Sequence, residues 1–361
     1  MHAASGHDAR TVKESFGRGK RALTLLIALL GAAAFGYLVW RLGGAAVLAS
    51  VASLGRAFPL LLLLEIGRLV CELVGTRGLL GAAGARLPFS RLLHGQLVGQ
   101  ALDVVMPAGR AAAEAAKAAI YARELGLPRT AAVGTALQLA ALVANAVWAL
   151  VGFLVSTGTT LPSGLRIGLI GYAGAMSGVV LAVLLFAASR PVRKLFRRVP
   201  TLHAILERFA DLLVTSPRRL LLAVCAQLVG RGIQAVQLGI AAAVLGARPA
   251  LPALVLTQAV YLVGAAAGDL VPAQLGATDA AFVYAAPALG MTQLAAFSVT
   301  LAAHAVQVAL AGLSGLGAGW LWWRDARRPP PPSSTACDPA PEAGSQPTPP
   351  REPEARWPQT F

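Results

Sequence analysis

Charge is scarce in this chain: Asp, Glu, Lys and Arg make up 13% of its 361 residues, and hydrophobic residues make up 56%. A soluble domain carries about 25% charged residues, so aqueous globular usage is excluded and the bilayer is the solvent in which to read the sequence. Cysteine is nearly absent too. Of the three, Cys71 and Cys225 fall in apolar runs and Cys337 in a terminal tail, which gives no basis for a disulfide framework or a thiolate metal site; no metal and no other cofactor is expected. A glycine-rich phosphate loop is missing, so ATP bound to this chain is excluded as an energy source. The first apolar run has no small-residue cleavage site before Arg41, which makes it an uncleaved span instead of a leader.

Acids are the rarer charge, 16 against 31 bases, for a formal net charge of +15. In a soluble protein that balance would suggest nucleic acid, but here its distribution decides otherwise. Apolar runs of about 20 residues cover 21–40, 58–74, 130–155, 166–188, 220–245 and 293–323, which predicts about six full spans. Bases collect before the first run (Arg10, Lys13, Arg18, Lys20, Arg21), after the second (Arg77, Arg86, Arg91), before the third (Arg123, Arg129), throughout 190–219, and after the last (Arg324, Arg327, Arg328). The remaining connections hold only Arg41 with Arg56, Arg166, and Arg248. Rich and poor loops alternate as the positive-inside rule requires, with both termini in the cytoplasm; nucleic acid is not an expected partner.

Three stretches flank or interrupt the spans. Residues 1–20 form a basic cytoplasmic N-terminus, and 326–361, rich in Pro, Ser, Ala and Glu, is expected to be a disordered cytoplasmic tail. The connection 190–219 places Leu202, Ile205, Leu206, Phe209, Leu212 and Leu213 at helical spacing, which predicts an amphipathic helix on the anionic inner leaflet.

A pattern then occurs twice, ~165 positions apart: an acid, a proline, and a second acid seven residues after it. The first copy contains Asp103, Pro107, Gly109, Arg110 and Glu114; the second contains Asp269, Pro272, Gly276 and Asp279. Each copy splits an apolar stretch into pieces too short to cross, at 92–121 and 252–290. Entered from the sides that the basic loops assign, the two form re-entrant hairpins of opposite orientation, the inverted-repeat logic of transporters with broken helices at the midplane. The fold class expected is an all-α polytopic membrane protein, about six full spans plus two broken re-entrant hairpins, occupying residues 21–325.

Charge inside apolar sequence is expensive and marks candidate functional residues. Arg110, Glu114 and Lys117 share one helical face that could hold a phosphate. The second copy has acids but no bases, so Asp269 and Asp279 need partners elsewhere: Arg231 in the polar stripe Gln227, Arg231, Gln234 and Gln237, or His304 and Gln307 with Thr300 on the last span. Glu65, Arg68 and Glu72 are spaced to pair along one helix, where they either line a path or lock packing. Gln138 and Asn145, seven apart, read as hydrogen-bonding glue between helices.

Met106-Pro-Ala-Gly-Arg-Ala-Ala-Ala-Glu114, with Lys117 and Gly126-Leu-Pro128 after it, resembles the first signature of the lysylphosphatidylglycerol synthase transmembrane family, flippase-like integral membrane proteins. Val271-Pro-Ala-Gln-Leu-Gly276-Ala-Thr-Asp279, with Leu289-Gly290-Met-Thr292 after it, is similar to the second. Glycines are thinned to Gly109 and Gly276, Asp279 replaces Glu, and Lys117 stands where Arg is common; Gln138 and His304 occur near usual arginine positions. The resemblance implies a bacterial inner-membrane protein that moves a phospholipid or modified phospholipid between leaflets. It does not imply synthesis, because family synthases append a soluble catalytic domain, and no enzyme activity is expected. Two alternatives are a noncatalytic scaffold for a lipid-modifying enzyme and, from Asp103 with Gly268-Asp269, an intramembrane aspartyl hydrolase; the tyrosine expected before the first aspartate is Leu102.

Overall fold

The computed structural model describes residues 29–327 except Pro107, Pro249, Leu270, Pro272 and Ala273. The basic N-terminus 1–20, nearly all of the tail, and the two prolines that anchor the repeat, Pro107 and Pro272, lie outside the described residues. Every regular element among them is helical. Helix α1 (Leu29–Leu42) meets α2 (Gly44–Ser53) at a bend of 92°, measured to Arg56. Then come α3 (Phe58–Leu80), α4 (Phe89–Val105), α5 (Gly109–Leu125), α6 (Leu127–Ser156), α7 (Ser163–Ala188), α8 (Arg190–Leu195), α9 (Pro200–Thr215), α10 (Pro217–Val244), α11 (Leu251–Ala267), α12 (Ala277–Ala285) and α13 (Gln293–Ala326). Starts follow proline chemistry: α3, α6, α9, α10 and α11 each carry Pro in the first turn, where the missing N–H is no loss.

Among the described residues, length and composition qualify four helices as membrane spans (α6, α7, α10 and α13), or five if the bent α1–α2 pair is one span. That is fewer than the six expected from apolar runs. The second run coincides with α3, which has 23 residues but contains Glu65, Arg68, Glu72 and Arg77. The described part of the first run lies in α1, and a sharp bend beyond its end leads into α2. Among the spans, α7 is the least covered: only Leu169, Ala173 and Ala187 are buried, and Ile167, Leu181 and Leu185 project outward. Such an apolar surface suits lipid and not water.

The broken stretches are helical hairpins. Tyr121 at the end of α5 donates to the carbonyl of Leu92 at the start of α4 (2.9 Å), Gly99 faces Lys117, and Gly109 abuts the backbone of Asp103. In the second hairpin the Tyr261 and Phe282 rings meet edge to face at 6.4 Å, Gly264 faces Thr278 and Ala281, and Gly268 faces Ala277. In both, glycines four apart on the first arm (Gly95 and Gly99, Gly264 and Gly268) leave room for the second arm to pack closely.

Each hairpin sits in its own apolar core. Leu79, Leu80, Leu92, Tyr121, Val133 and Leu137 surround the first; Leu61, Leu238, Leu256, Tyr261, Phe282 and Val299 surround the second. The amphipathic helix expected in this connection is α9, and part of its apolar face packs against protein. Phe209 of α9 is buried in the first core, with Leu212 and Leu213 half-buried beside it. At the end of α13, Arg327 stacks over Trp323 at 3.7 Å.

Candidate functional site

Helix α6 shows how the two hairpins are arranged. Near its start, Thr130 donates to the carbonyl of Ala118 (3.0 Å); one turn on, Gly134 faces Glu114; another turn on, Arg110 donates to Gln138 (3.4 Å). The first hairpin thus runs from base to tip as α6 runs from 130 to 138. Towards its other end, Gly152 lies against Val255 and Ala259 of α11, while the later α11 residues Leu262, Ala265 and Ala266 reach the cavity wall beside Ala141 and Leu142. Residues of both tips line the cavity beside the middle of α6.

A cavity of about 440 Å³ lies between the tips, within the ~300–1,000 Å³ usual for small-molecule sites. From the first tip come Asp103, Met106, Gly109 and Arg110; from the second come Asp269, Val271 and Gln274. The rest of the wall includes Arg68, Gln100, Gln138, Asn145, Tyr172, Arg231, Gln234, Tyr261 and Gln307. Polar side chains in a bundle this apolar require partners, and tracing them separates the structural groups from the available ones.

Most of the charge is bound up beside the first tip. Lys117 is 3% exposed and sits between Glu72 (2.7 Å) and Glu114. Arg110 reaches the other Glu72 oxygen at 3.2 Å and Asp103 at 3.7 Å. Arg68 pairs with Glu65 at 2.7 Å and donates to Gln100 at 3.2 Å. Alternating signs across α3, α4 and α5 offset the desolvation of each ion, and removing any one would strand its neighbours. Pairing along α3 is confined to Glu65 and Arg68; Glu72 turns to α5.

Asp279 occupies a different kind of place. It is fully buried, accepts the Gly276 amide at 2.8 Å, and takes further contacts from the Thr300 hydroxyl and from His304 Nε2 at 3.2 Å. Gly276, at φ 85°, supplies the left-handed turn from which α12 starts, and Asp279 at the third helical position ties it down. His304 and Thr300 are therefore the partners of Asp279, and Arg231 is not. Neither Asp279, Glu114 nor Lys117 is among the residues lining the cavity.

Two charges in the cavity wall stand apart. Arg231 donates to Asn145 (2.9 Å) and Gln234 (3.0 Å), and among the described residues it pairs with no carboxylate. Asp269 of the second tip makes no side-chain hydrogen bond or ion pair among them, although it lines the same cavity. The wall also holds residues the sequence reading did not single out. Gln100 follows Gln96 by four and precedes Asp103 by three, a polar stripe visible in α4. Tyr172, which accepts from Asn145 at 3.2 Å, is the lone tyrosine of α7 and lies near its middle. Tyr261, which takes a hydrogen bond from Gln307 at 2.8 Å, likewise interrupts an apolar run.

Backbone geometry marks the tips a second time. Among the described residues only two non-glycine residues have positive φ, Ala108 at 51° and Gln274 at 58°, one in each tip. Left-handed backbone is costly for residues with a β-carbon, and such strain concentrates where a site requires it.

These features define a polytopic helical membrane protein in which two packed hairpins converge on a polar cavity. The family described as lysylphosphatidylglycerol synthase TM region matches residues 22–315, and the chain belongs to that family. No curated protein matches it, and no solved structure does.

Proposed function

We propose that this protein moves a phospholipid or modified phospholipid between the leaflets of the bacterial inner membrane, its headgroup passing through the cavity between the hairpin tips. One observation carries the reading: residues of both tips line one cavity, where Arg231 and Asp269 have no ionic partner among the described residues. Two hairpins of opposite direction around a central site are what an inverted repeat supplies to alternating access. On this reading the tips are re-entrant, both termini are cytoplasmic, and Arg231 attracts the anionic part of the headgroup while Asp269 faces any cationic part. Arg231 is half-buried and Asp269 exposed, so both can be reached by a headgroup that enters the cavity.

A hydrolytic reading would ask Asp103 and Asp269 to share a proton. Both line the cavity, but Asp103 is engaged by Arg110 at 3.7 Å, a base where such a dyad needs a second acid. Transport is therefore the preferred reading, with a scaffold role the outcome if no lipid moves.

The test is a leaflet-resolved assay in proteoliposomes containing lipids labelled on the headgroup. Wild type should accelerate exchange between leaflets, and Arg231→Gln and Asp269→Asn should each slow it by roughly tenfold or more, the kinetic equivalent of one lost charge-assisted contact. Flip rates equal to those of protein-free vesicles would remove the transport reading. Unchanged rates in both variants would remove the cavity from the path.

A further inference from the structure

Outside the central cavity, the most distinctive surface is a groove of about 100 Å³ where α6, α9 and α10 come together. Its floor is apolar: Leu79 and Leu80 at the end of α3, with Ala132 and Val133 of α6, are all buried. Three arginines from three separate helices surround it, Arg129 at the start of α6, Arg208 on α9 and Arg219 at the start of α10. All three are exposed, and among the described residues none makes an ion pair or a side-chain hydrogen bond. Asp211 is the one acid in the lining, so the groove carries a net excess of two positive charges.

Arginines on flexible loops would spread into solvent, but here helix positions constrain them. Arg219 lies across the turn at Gly81, where a β-carbon would collide with its guanidinium. Arg208 precedes Phe209, the residue that anchors α9 into the core. Arg129 sits one residue before Thr130, whose hydroxyl fastens α6 to the Ala118 carbonyl.

The groove also lies at a defined depth. The spans α6 and α10 both begin beside it, so it falls where apolar helix gives way to the polar headgroup layer. Close by, Val180, Val183 and Ala187 of α7 pack into the core that holds Phe209, while Leu181, Leu184 and Leu185 on the same helix face outward. An apolar track for acyl chains therefore ends near a nest of guanidinium groups.

We propose that this groove is a binding site for an anionic phospholipid of the surrounding membrane, separate from the transport path. The guanidinium groups of Arg129, Arg208 and Arg219 hold its phosphate, since planar forks of N–H donors match phosphate oxygens and basic pockets between membrane helices select anionic headgroups. The acyl chains lie along the outer face of α7. Occupancy of the groove would link α9 to α6 and α10 through a shared counterion, and so join the connection between α7 and α10 to the helix that carries both hairpins.

The experiment measures retention of lipid by the full-length protein. After exchange into zwitterionic detergent micelles, native mass spectrometry would count bound dioctanoyl phosphatidylglycerol against dioctanoyl phosphatidylcholine at equal concentration. Wild type should retain one more phosphatidylglycerol than the combined variant Arg129→Gln, Arg208→Gln, Arg219→Gln, whose apparent affinity for that lipid should drop at least tenfold. A control with the same change in charge, Arg86→Gln, Arg123→Gln, Arg197→Gln, should lose less than twofold; equal losses in both would overturn the proposal by reducing it to general charge. Displacement of the lipid by millimolar inorganic phosphate would also overturn it, by showing a soluble anion as the ligand. Should the combined variant fail to fold, Thr215→Cys offers a second route, with Cys71, Cys225 and Cys337 replaced by Ser. Thr215 is exposed in the groove wall, and a bulky maleimide on the new thiol should remove the extra lipid; unchanged retention would overturn the proposal.

Discussion

The two hairpins share a design and differ in how they are fastened. Both bring glycines four apart on one arm against the other arm, and both bend at a tip containing one non-glycine residue with positive φ. The first, α4–α5, is held sideways by ions: Lys117 and Arg110 converge on Glu72 of α3, and Asp103 and Glu114 complete the set. The second, α11–α12, is held by a single carboxylate, with Asp279 gripping the Gly276 amide, Thr300 and His304. A network of alternating charge binds its hairpin to a neighbouring helix, so each member depends on all the others. A buried cap fixes the shape of one turn and fastens it to α13 through two contacts, Thr300 and the His304 ring. Glu114 and Asp279, counterparts in the repeat, thus have different employment, and the charges left available to a ligand, Arg231 and Asp269, are neither of them.

Breaking the ionic fastening should have the largest effect. Lys117→Met leaves Glu114 without its ion pair and Glu72 with Arg110 alone, and loss of one partner from a buried ionic set costs about 3–5 kcal/mol. Thermal unfolding in detergent should show the loss, and Glu72→Gln added to Lys117→Met should recover part of it. A double variant no better than Lys117→Met alone would mean that the pair does not couple the two helices. Asp279→Asn in the second hairpin keeps an acceptor for Thr300 but weakens the hold on Gly276, an expected loss of ~1–3 kcal/mol. A larger loss than that of Lys117→Met would reverse the comparison.

Arg231→Gln tests the division between fastening and function. Its partners, Asn145 and Gln234, are neutral, so unfolding should shift by about 1 kcal/mol or less, the scale of ordinary hydrogen bonds. Flip rate should nevertheless fall by roughly tenfold. A variant as unstable as Lys117→Met would place Arg231 among the structural ions and remove it from the proposed site.

Sequence alone conveyed the frame of the molecule because burial in lipid leaves so strong a trace. The apolar runs at 130–155, 166–188 and 220–245 correspond closely to α6, α7 and α10, and the twice-broken stretches became hairpins. The apolar runs did not show the sharp turn at Gly43, beyond the end of the first run, by which α1 leads into α2. Partnerships were hidden for a related reason. Helical spacing places Glu65, Arg68 and Glu72 on neighbouring turns, but it says nothing of the hairpin that approaches from 38 to 45 residues away to take Glu72. His304 could be proposed as a partner of the second acid because the last span offers few other polar groups besides Thr300 and Gln307. That Arg231 would be left facing a cavity depended on three-dimensional packing alone.

The smallest expected effect bears on what the hairpins have in common. Ala108 and Gln274 hold left-handed backbone, at 51° and 58°, against the preference of any residue with a β-carbon. Glycine at either position removes a strain of about 1–2 kcal/mol, and its greater freedom in the unfolded chain gives back about 0.4–1 kcal/mol. Ala108→Gly and Gln274→Gly should therefore each raise stability slightly, by about 1 kcal/mol or less. If the tips are strained in order to present the cavity in one fixed shape, the relief should carry a cost in rate, because a glycine tip samples other turns. Equal stabilisation and equal slowing in the two variants would mark the tips as matched parts of one device. Slowing in Gln274→Gly alone would assign the moving part to the second hairpin, the one that no ionic network ties to α3.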